Sequence, residues 1–456
     1  NGKEKPFLTA AAFLLILLSF VPNWLIFYPG SFTYDTQNQV FQVAENRYDM
    51  FHPLLHTLLI RFCISMFDVV GSLEKTAALY AIIQMTLMAL CFALISASIS
   101  RISSRCMARL TVCFFVLYPT HMVMASNCTK DVLFGGFLAL FVTLCIEQAT
   151  GNVFPPKRWA LLLLSGTLAC LFRNNMIYAM IVWTLVLFLN RRRMKRLCAA
   201  AAAIILLSQG INAGLGAMTN AAHGSVAEML SVPVQQLARA MAVSPESFTQ
   251  DDLDVMDKLF PDKCYEDYTP SLSDPVKNHM NVELIQSDPL RVARLWLDVG
   301  MRCPNVYFDA FFNLTLPSLY PYSSYKVAAS YIEIEQRGGV WTLPFGQSPM
   351  VSPARFANLR SWLRDNLWET GADNVPLIRF LFNTGAIFWL CGACVLHAAY
   401  KGRWRRLCVL ALPVLLHMTF LLGPVMQGRY LYPFVCLLPA LLLTAKDEAA
   451  CCPSSV

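Results

Sequence analysis

The chain has 456 residues, of which 56% are hydrophobic and 14% charged, with a mean hydropathy of +0.48. Soluble domains carry about 25% charged residues, so this balance excludes an ordinary soluble protein and points to lipid. The net charge of +7 is distributed in the manner of a membrane protein, which excludes a nucleic-acid partner.

A spanning helix needs about 20 mostly apolar residues, within a range of roughly 17–25. In chain order the candidates are Phe7–Tyr28, Ala77–Ser98, Leu110–Met124, Val132–Gln148, Trp159–Phe172, Met176–Asn190, Leu197–Leu215, Val375–Ala398, Leu407–Gly423 and Tyr430–Ala445. The first lacks an A-x-A cleavage site and reads as an anchoring helix. A further apolar stretch, Leu54–Val70, carries His56, Arg61 and Asp68, which are costly inside a span. Lys and Arg accumulate in short cytoplasmic loops. The basic connectors Arg101/Arg105/Arg109, Lys157/Arg158, Arg191–Arg196 and Lys401/Arg403/Arg405/Arg406 share one side only if Leu54–Val70 does not cross. It is therefore expected to be a juxtamembrane or re-entrant helix in the first outer loop, 29–76.

The expected fold is an all-α polytopic membrane protein of about ten transmembrane helices, in the plasma membrane, with both termini cytoplasmic. Its parts are an N-terminal transmembrane module (1–215), an extracytoplasmic and mainly helical subdomain (216–374) and C-terminal transmembrane helices (375–456). The 216–374 segment holds 19 acidic and 12 basic residues, in contrast to the basic remainder. Its aromatic and proline residues (Tyr265, Tyr268, Pro304, Tyr320, Pro321, Tyr322, Trp341) argue for an ordered subdomain rather than a linker. Most of the 16 cysteines lie in apolar runs and behave as small hydrophobes. Only Cys264 and Cys303 sit in a polar segment where a bridge could form.

This topology gathers separate polar residues at one face. Asp35 follows the first span; His52 and His56 come next, four apart and on one face if that segment is helical. Lys130 and Asp131 open the fourth span, Arg173 lies between the fifth and sixth, and Gln427, Arg429 and Tyr430 precede the last. Each has a structural reading beside the functional one. Asp35 could cap a helix starting at Thr36, Lys130 and Asp131 could form an interfacial pair, and Arg173 and Arg429 could be snorkelling anchors. The two histidines fit interfacial packing better than metal ligation, since no third ligand is evident. Glu228, Gln235 and Arg239 lie in a polar stretch that is either a set of substrate contacts or an amphipathic surface helix.

A ring of cations with a carboxylate suits transfer of a sugar from a polyprenyl phosphate. The phosphate leaving group needs positive charge, which Arg supplies by bidentate contact, and the acceptor hydroxyl needs a general base. No cofactor and no metal are required. Tyr34-Asp35, the juxtamembrane helix, Lys130-Asp131 and Arg429-Tyr430 resemble the GT-C class of glycosyltransferases, with protein O-mannosyltransferases and aminoarabinose transferases nearest. Pro29-Gly30-Ser31…Asp35, His52-Pro53…His56, Lys130–Phe134, Arg173-Asn174-Asn175 and Gly428-Arg429-Tyr430 also resemble an uncharacterised bacterial glycosyltransferase-like family. The resemblance implies Asp35 as the first-loop catalytic residue and Lys130 and Arg429 as phosphate contacts. Many GT-C enzymes carry a paired Asp-Asp or Asp-Glu; here Tyr34-Asp35-Thr36 offers one carboxylate and Asp131 is the candidate second.

The expected activity is an inverting transfer to a cell-envelope glycan, lipid or protein acceptor on the extracytoplasmic face. Asp35 and Asp131 are the catalytic candidates. Lys130, Arg173, Arg429 and Tyr430 are the donor-phosphate contacts, and His52, His56, Glu228, Gln235, Arg239 and Gln427 the substrate contacts. An O-antigen ligase or polysaccharide polymerase, and a lipid or solute transporter, are the alternatives.

Overall fold

The computed structural model describes residues 6–67, 73–222, 224, 226–320, 340–343, 346–349, 353–368, 381 and 383–445. Pro321, Tyr322, Asp68 and the first part of the expected Val375–Ala398 span lie outside them. The described chain is helical apart from two short strand pairs.

α1 (Pro6–Ile26) leads into β1 (Ser31–Phe32), α2 (Tyr34–Glu45) and α3 (Leu54–Ser65). α3 covers most of the Leu54–Val70 stretch expected to form a juxtamembrane or re-entrant helix. Next come α4 (Leu73–Ile102), α5 (Arg105–Leu117), α6 (Pro119–Ala125), β2 (Asn127–Cys128) and α7 (Lys130–Ala149). The expected Leu110–Met124 span is bent by 59° between α5 and α6. Pro119 drives Tyr118 out of the helical region (ψ 114°), because an X-Pro residue avoids that region. α8 (Pro156–Phe172), α9 (Met176–Leu189) and α10 (Arg191–Thr219) complete the first bundle. Two prolines open α8, where a missing N–H costs little.

Among the described residues five helices are long and apolar enough to cross a membrane, six if the bent α5–α6 pair is one span. The protein is an all-α membrane protein. α7 carries the architecture: its residues are apolar on all sides and nearly all buried, as expected of a helix in the middle of a bundle. It packs against α4, α8 and the last helix, Gly428–Ala445. Gly135 and Gly136 permit that approach: a Cβ at Gly136 would lie 2.5 Å from Met88 Sδ, and one at Gly135 3.2 Å from the Tyr432 ring.

A second core belongs to residues 227–307. It is built by α11 (Ser231–Val243), α12 (Gln250–Leu259), α13 (Asp274–Lys277), α14 (Val282–Ser287), α15 (Pro289–Arg302) and α16 (Pro304–Leu319). Thr249 and Asp252 form a reciprocal capping box at the start of α12. Cys264 and Cys303 are both free here, so the possible bridge is not formed. Each thiol turns to a nearby backbone carbonyl instead, Cys264 to Val276 and Cys303 to Val299. β3 (Val340–Leu343) and β4 (Gly346–Pro349) form an antiparallel hairpin. α17 (Ala357–Leu363) follows, then α18 (Thr384–Tyr400), α19 (Trp404–Leu421) and α20 (Gly428–Ala445), which return to the first bundle.

β1 and β2 pair in parallel, with Ser31 opposite Asn127 and Phe32 opposite Cys128. Gly30 makes the join possible. Its φ is +115°, and an added Cβ would stand 2.8 Å from the Ser126 carbonyl oxygen. Gly30→Ala therefore combines backbone strain with a clash against backbone, and is expected to destabilise the protein by about 2 kcal/mol. Thermal unfolding of the detergent-solubilised variant checks this; an unchanged midpoint would remove the ladder's claim to hold the first loop.

Candidate active site

The parallel ladder sets two short segments side by side. Each strand is followed by a Thr N-cap and an Asp in the first helical turn: Thr33-Tyr34-Asp35 opens α2, and Thr129-Lys130-Asp131 opens α7. Both aspartates thus face helix N-termini, where negative charge is favoured. α2 starts at Tyr34, so Asp35 lies inside its first turn; the cap expected of Asp35 is supplied by Thr33, whose Oγ1 accepts from the Thr36 backbone. Thr36 Oγ1 crosses to donate to the Cys128 carbonyl at 2.6 Å. The register leaves Asp35 and Lys130 in contact.

Lys130 Nζ donates to Asp35 Oδ2 at 2.7 Å and to His52 Nδ1 at 3.0 Å. Arg429 Nη2 lies 3.2 Å from the same Asp35 oxygen. Arg429 Nε lies 3.5 Å from Asp131 Oδ2, and Arg173 Nη1 donates to Asp131 Oδ1. Arg173 and Arg429 stack over the Tyr430 ring, with guanidinium carbons 4.4 and 5.4 Å from its centroid. Arg173 also covers Phe420. Three cations and two carboxylates, drawn from the first loop, α7, the α8–α9 turn and α20, form one network.

Burial divides the two acids. The Asp131 side chain is 0% exposed and Asp35 is 17% exposed, the most open member of the cluster. The network carries one positive charge more than it neutralises, and leaving a buried charge uncompensated is costly. Arg429 Nη1 and His52 Nε2 are buried with no hydrogen-bond partner, and Arg429 Nε has only the 3.5 Å ion pair to Asp131. With Lys130 donating to Nδ1, the His52 ring proton falls on Nε2, so Arg429 Nη1 and His52 Nε2 are donors without acceptors. Such a site suits an anion. No three His, Cys, Asp or Glu side chains gather as a metal-binding set among the described residues.

The other expected site residues scatter. α3 begins at Leu54, so His52 precedes the helix and the two histidines do not share a helical face. His56 is fully enclosed between Gln39 Oε1 (2.6 Å) and Tyr80 Oη (2.7 Å), holding α2 and α4 to α3. Glu228 pairs with Lys277 at 2.5 Å, Arg239 with Asp309 at 3.2 Å, and Gln235 Nε2 donates to the Thr269 and Pro270 carbonyls. All three belong to the framework of the second core. Gln427 contributes its backbone carbonyl to Tyr430 N, and its buried Oε1 has no partner. Gln39 and Tyr80 were missed by sequence reasoning. So was Glu147, which takes Arg101 at 2.9 Å and Arg158 at 2.8 Å near the far end of α7. A carboxylate within an apolar run was the available signal.

Fold and site define a helical membrane protein with a buried, cation-rich cluster at one end of its central helix. The chain belongs to DUF6020, a family of unknown function whose model matches residues 47–451. No curated protein and no solved structure matches it.

Two expectations follow from the electrostatics. Asp131→Ala strands Arg173 and leaves Arg429 with Asp35 alone, and is expected to cost about 3–5 kcal/mol of stability, against less for the more open Asp35→Asn; unfolding of the two variants in detergent compares them. The second concerns pH. Burial would raise the Asp35 carboxyl, but Arg429 and Lys130 hold it well below the usual carboxylate range. Its contribution is therefore intact down to the ordinary carboxylate value and is lost only below that. Burial, reinforced by Lys130, pushes the His52 imidazole down to about 3. The folded protein leaves His52 neutral while the unfolded chain takes up a proton below about pH 6.5. Stability should then fall as pH drops from 6.5 towards 4, by up to about 1.4 kcal/mol per pH unit for this group. A His52→Gln variant should show a shallower slope; equal slopes would mean that His52 is protonated in the folded state.

Proposed function

We propose that this protein is a GT-C-type glycosyltransferase that moves a sugar from a polyprenyl phosphate to a hydroxyl acceptor at the extracytoplasmic membrane face, with inversion. The observation that carries this is the cluster's excess positive charge, with unpartnered Arg429 and His52 donors, beside a partly open carboxylate. On this reading the chain crosses the membrane ten times, with the shorter helices α8, α9, α18 and α20 among the crossings. Both termini are then cytoplasmic and the 216–374 segment is extracytoplasmic.

The donor phosphate binds Arg429 and Lys130, with Arg173 and Tyr430 behind them. Asp131 acts by position, fixing both guanidiniums through its two oxygens. Asp35 accepts the acceptor's proton as the hydroxyl attacks the anomeric carbon and the phosphate departs with the bonding electrons. Paired to two cations, Asp35 is a weak base. A bound phosphate competes for Lys130 and Arg429, which returns the carboxyl towards the range a general base needs. Base strength is thereby coupled to donor occupancy. The acceptor is a glycan, lipid or protein of the cell envelope; charge neutralisation by Arg and Lys needs neither metal nor cofactor.

The test is sugar transfer by purified protein from a panel of polyprenyl-phosphate sugars. Asp35→Asn is expected to lower turnover by about 10²-fold or more while donor binding persists. Arg429→Ala is expected to lose donor binding. If both variants turn over like the parent, the cluster is structural and the proposal fails.

A further inference from the structure

A second cationic feature lies at the opposite end of the bundle. α9 starts at Met176 beside Arg173 and rises about 1.5 Å per residue, so Leu189 lies about 20 Å away. α19 runs the other way: Thr419, near its end, accepts from Asn175 at 3.2 Å, which puts Trp404 at the far end. The Trp183 indole donates to the Cys408 carbonyl at 2.6 Å and locks the two helices together. Between them is a cavity of about 470 Å³ whose walls include Arg191, Arg192, Arg405, Leu189, Met194 and Trp404.

Among the described residues, no acidic side chain lines this cavity. Arg191 leans over the Phe188 ring with its guanidinium carbon 4.5 Å from the centroid. Arg191, Arg192 and Arg405 all line it, and a guanidinium can hold two phosphate oxygens. The rim distinguishes a lipid from a soluble anion. Leu189 is 82% exposed and Trp404 65% exposed, and Leu185 and Phe188 continue the apolar surface along α9. A tryptophan beside arginines at a helix end is the composition of a membrane interface, and basic pockets between helices there hold anionic headgroups.

We propose that this cavity is a binding site for an anionic phospholipid, its phosphate held by Arg191, Arg192 and Arg405 and its acyl chains lying along Leu189 and Trp404. The site is separate from the Asp35 cluster and does not depend on any transferase activity. The lipid fastens the α9–α10 turn to the start of α19, both of which lead back to the other end of the bundle.

Native mass spectrometry of the full chain in mild detergent tests this, titrating phosphatidylglycerol and phosphatidylcholine of the same acyl chains. Phosphatidylglycerol is expected to be retained at lower concentration. The triple variant Arg191→Gln, Arg192→Gln, Arg405→Gln should weaken its retention by about 10-fold or more and leave phosphatidylcholine unchanged. Arg105→Gln with Arg109→Gln, outside the cavity, should change neither. If the triple variant does not fold, Arg405→Gln alone should still weaken phosphatidylglycerol retention. Equal effects of the cavity and control variants would reduce the site to surface charge and overturn the proposal. Displacement of phosphatidylglycerol by millimolar inorganic phosphate would assign a soluble anion to the cavity and overturn the lipid.

Discussion

The central helix α7 carries a carboxylate in its first turn and another near its last, and neither can reach water. Asp131 is 0% exposed and Glu147 1% exposed. A buried carboxylate must be matched within its own surroundings, because the desolvation penalty is several kcal/mol per ion. Each therefore recruits two arginines from other segments: Arg173 and Arg429 at one end, Arg101 and Arg158 at the other. Those arginines lie on or beside α4, α8 and α20, three helices that enclose α7. From Lys130 to Glu147 is about 26 Å at 1.5 Å per residue, close to the roughly 30 Å of a bilayer's hydrocarbon core. Pairing at both ends thus fixes which helices surround α7 and places the ionic layers at a membrane's spacing.

The two ends differ in membership and openness. At the Glu147 end, two arginines share one enclosed carboxylate and Ser98 Oγ accepts from both. At the Asp131 end, Lys130 and Asp35 are added and buried donors remain on Arg429 and His52. Donors left over beside a partly open carboxylate are what an anion site requires, since a filled network would have nothing to offer an anion. The segment after α10 and the second core grip the loops that carry this end. Ala222 exchanges backbone hydrogen bonds with Tyr48 and Met50, just before His52. Leu272 bridges to Val425 and Ser273 N donates to the Pro424 carbonyl, just before Arg429. Gln235 supports that second contact by holding Thr269 and Pro270.

Charged residues stand out in an apolar chain, so the membrane class and the charged members of the cluster were legible before any coordinates. Lys130, Asp131, Arg173 and Arg429 could each be assigned to one face from loop charge alone. Pairing was less legible, because spacing along a chain does not specify partners across it. His52 and His56 are four residues apart, yet one meets Lys130 and the other is enclosed by Gln39 and Tyr80, because Pro53 ends the loop and the helix starts only at Leu54. Glu228, Gln235 and Arg239 have the composition of ligand contacts, but their partners, Lys277, Thr269 and Asp309, lie dozens of residues downstream. The twin Thr-x-Asp turns were visible as letters; only the β1–β2 register gave them meaning.

That register bears on the chemistry of the first aspartate. A carboxylate between two cations is well placed to hold them and poorly suited to take a proton. Asp131 resolves the conflict for the arginines: with its oxygens on Arg173 and Arg429, Arg429 stays in place when Asp35 lets go. Lys130 has His52 as an alternative acceptor at 3.0 Å, so it too stays anchored. Asp35 is thus the one carboxylate of the pair that can exchange partners without stranding a buried charge, provided that an anion takes its place. On the transferase reading, the donor phosphate is that anion, and its arrival frees the base at the position where the acceptor must approach. The fully enclosed aspartate and the partly open one then have separate tasks, which a single paired carboxylate motif in the first loop could not perform from one helix turn.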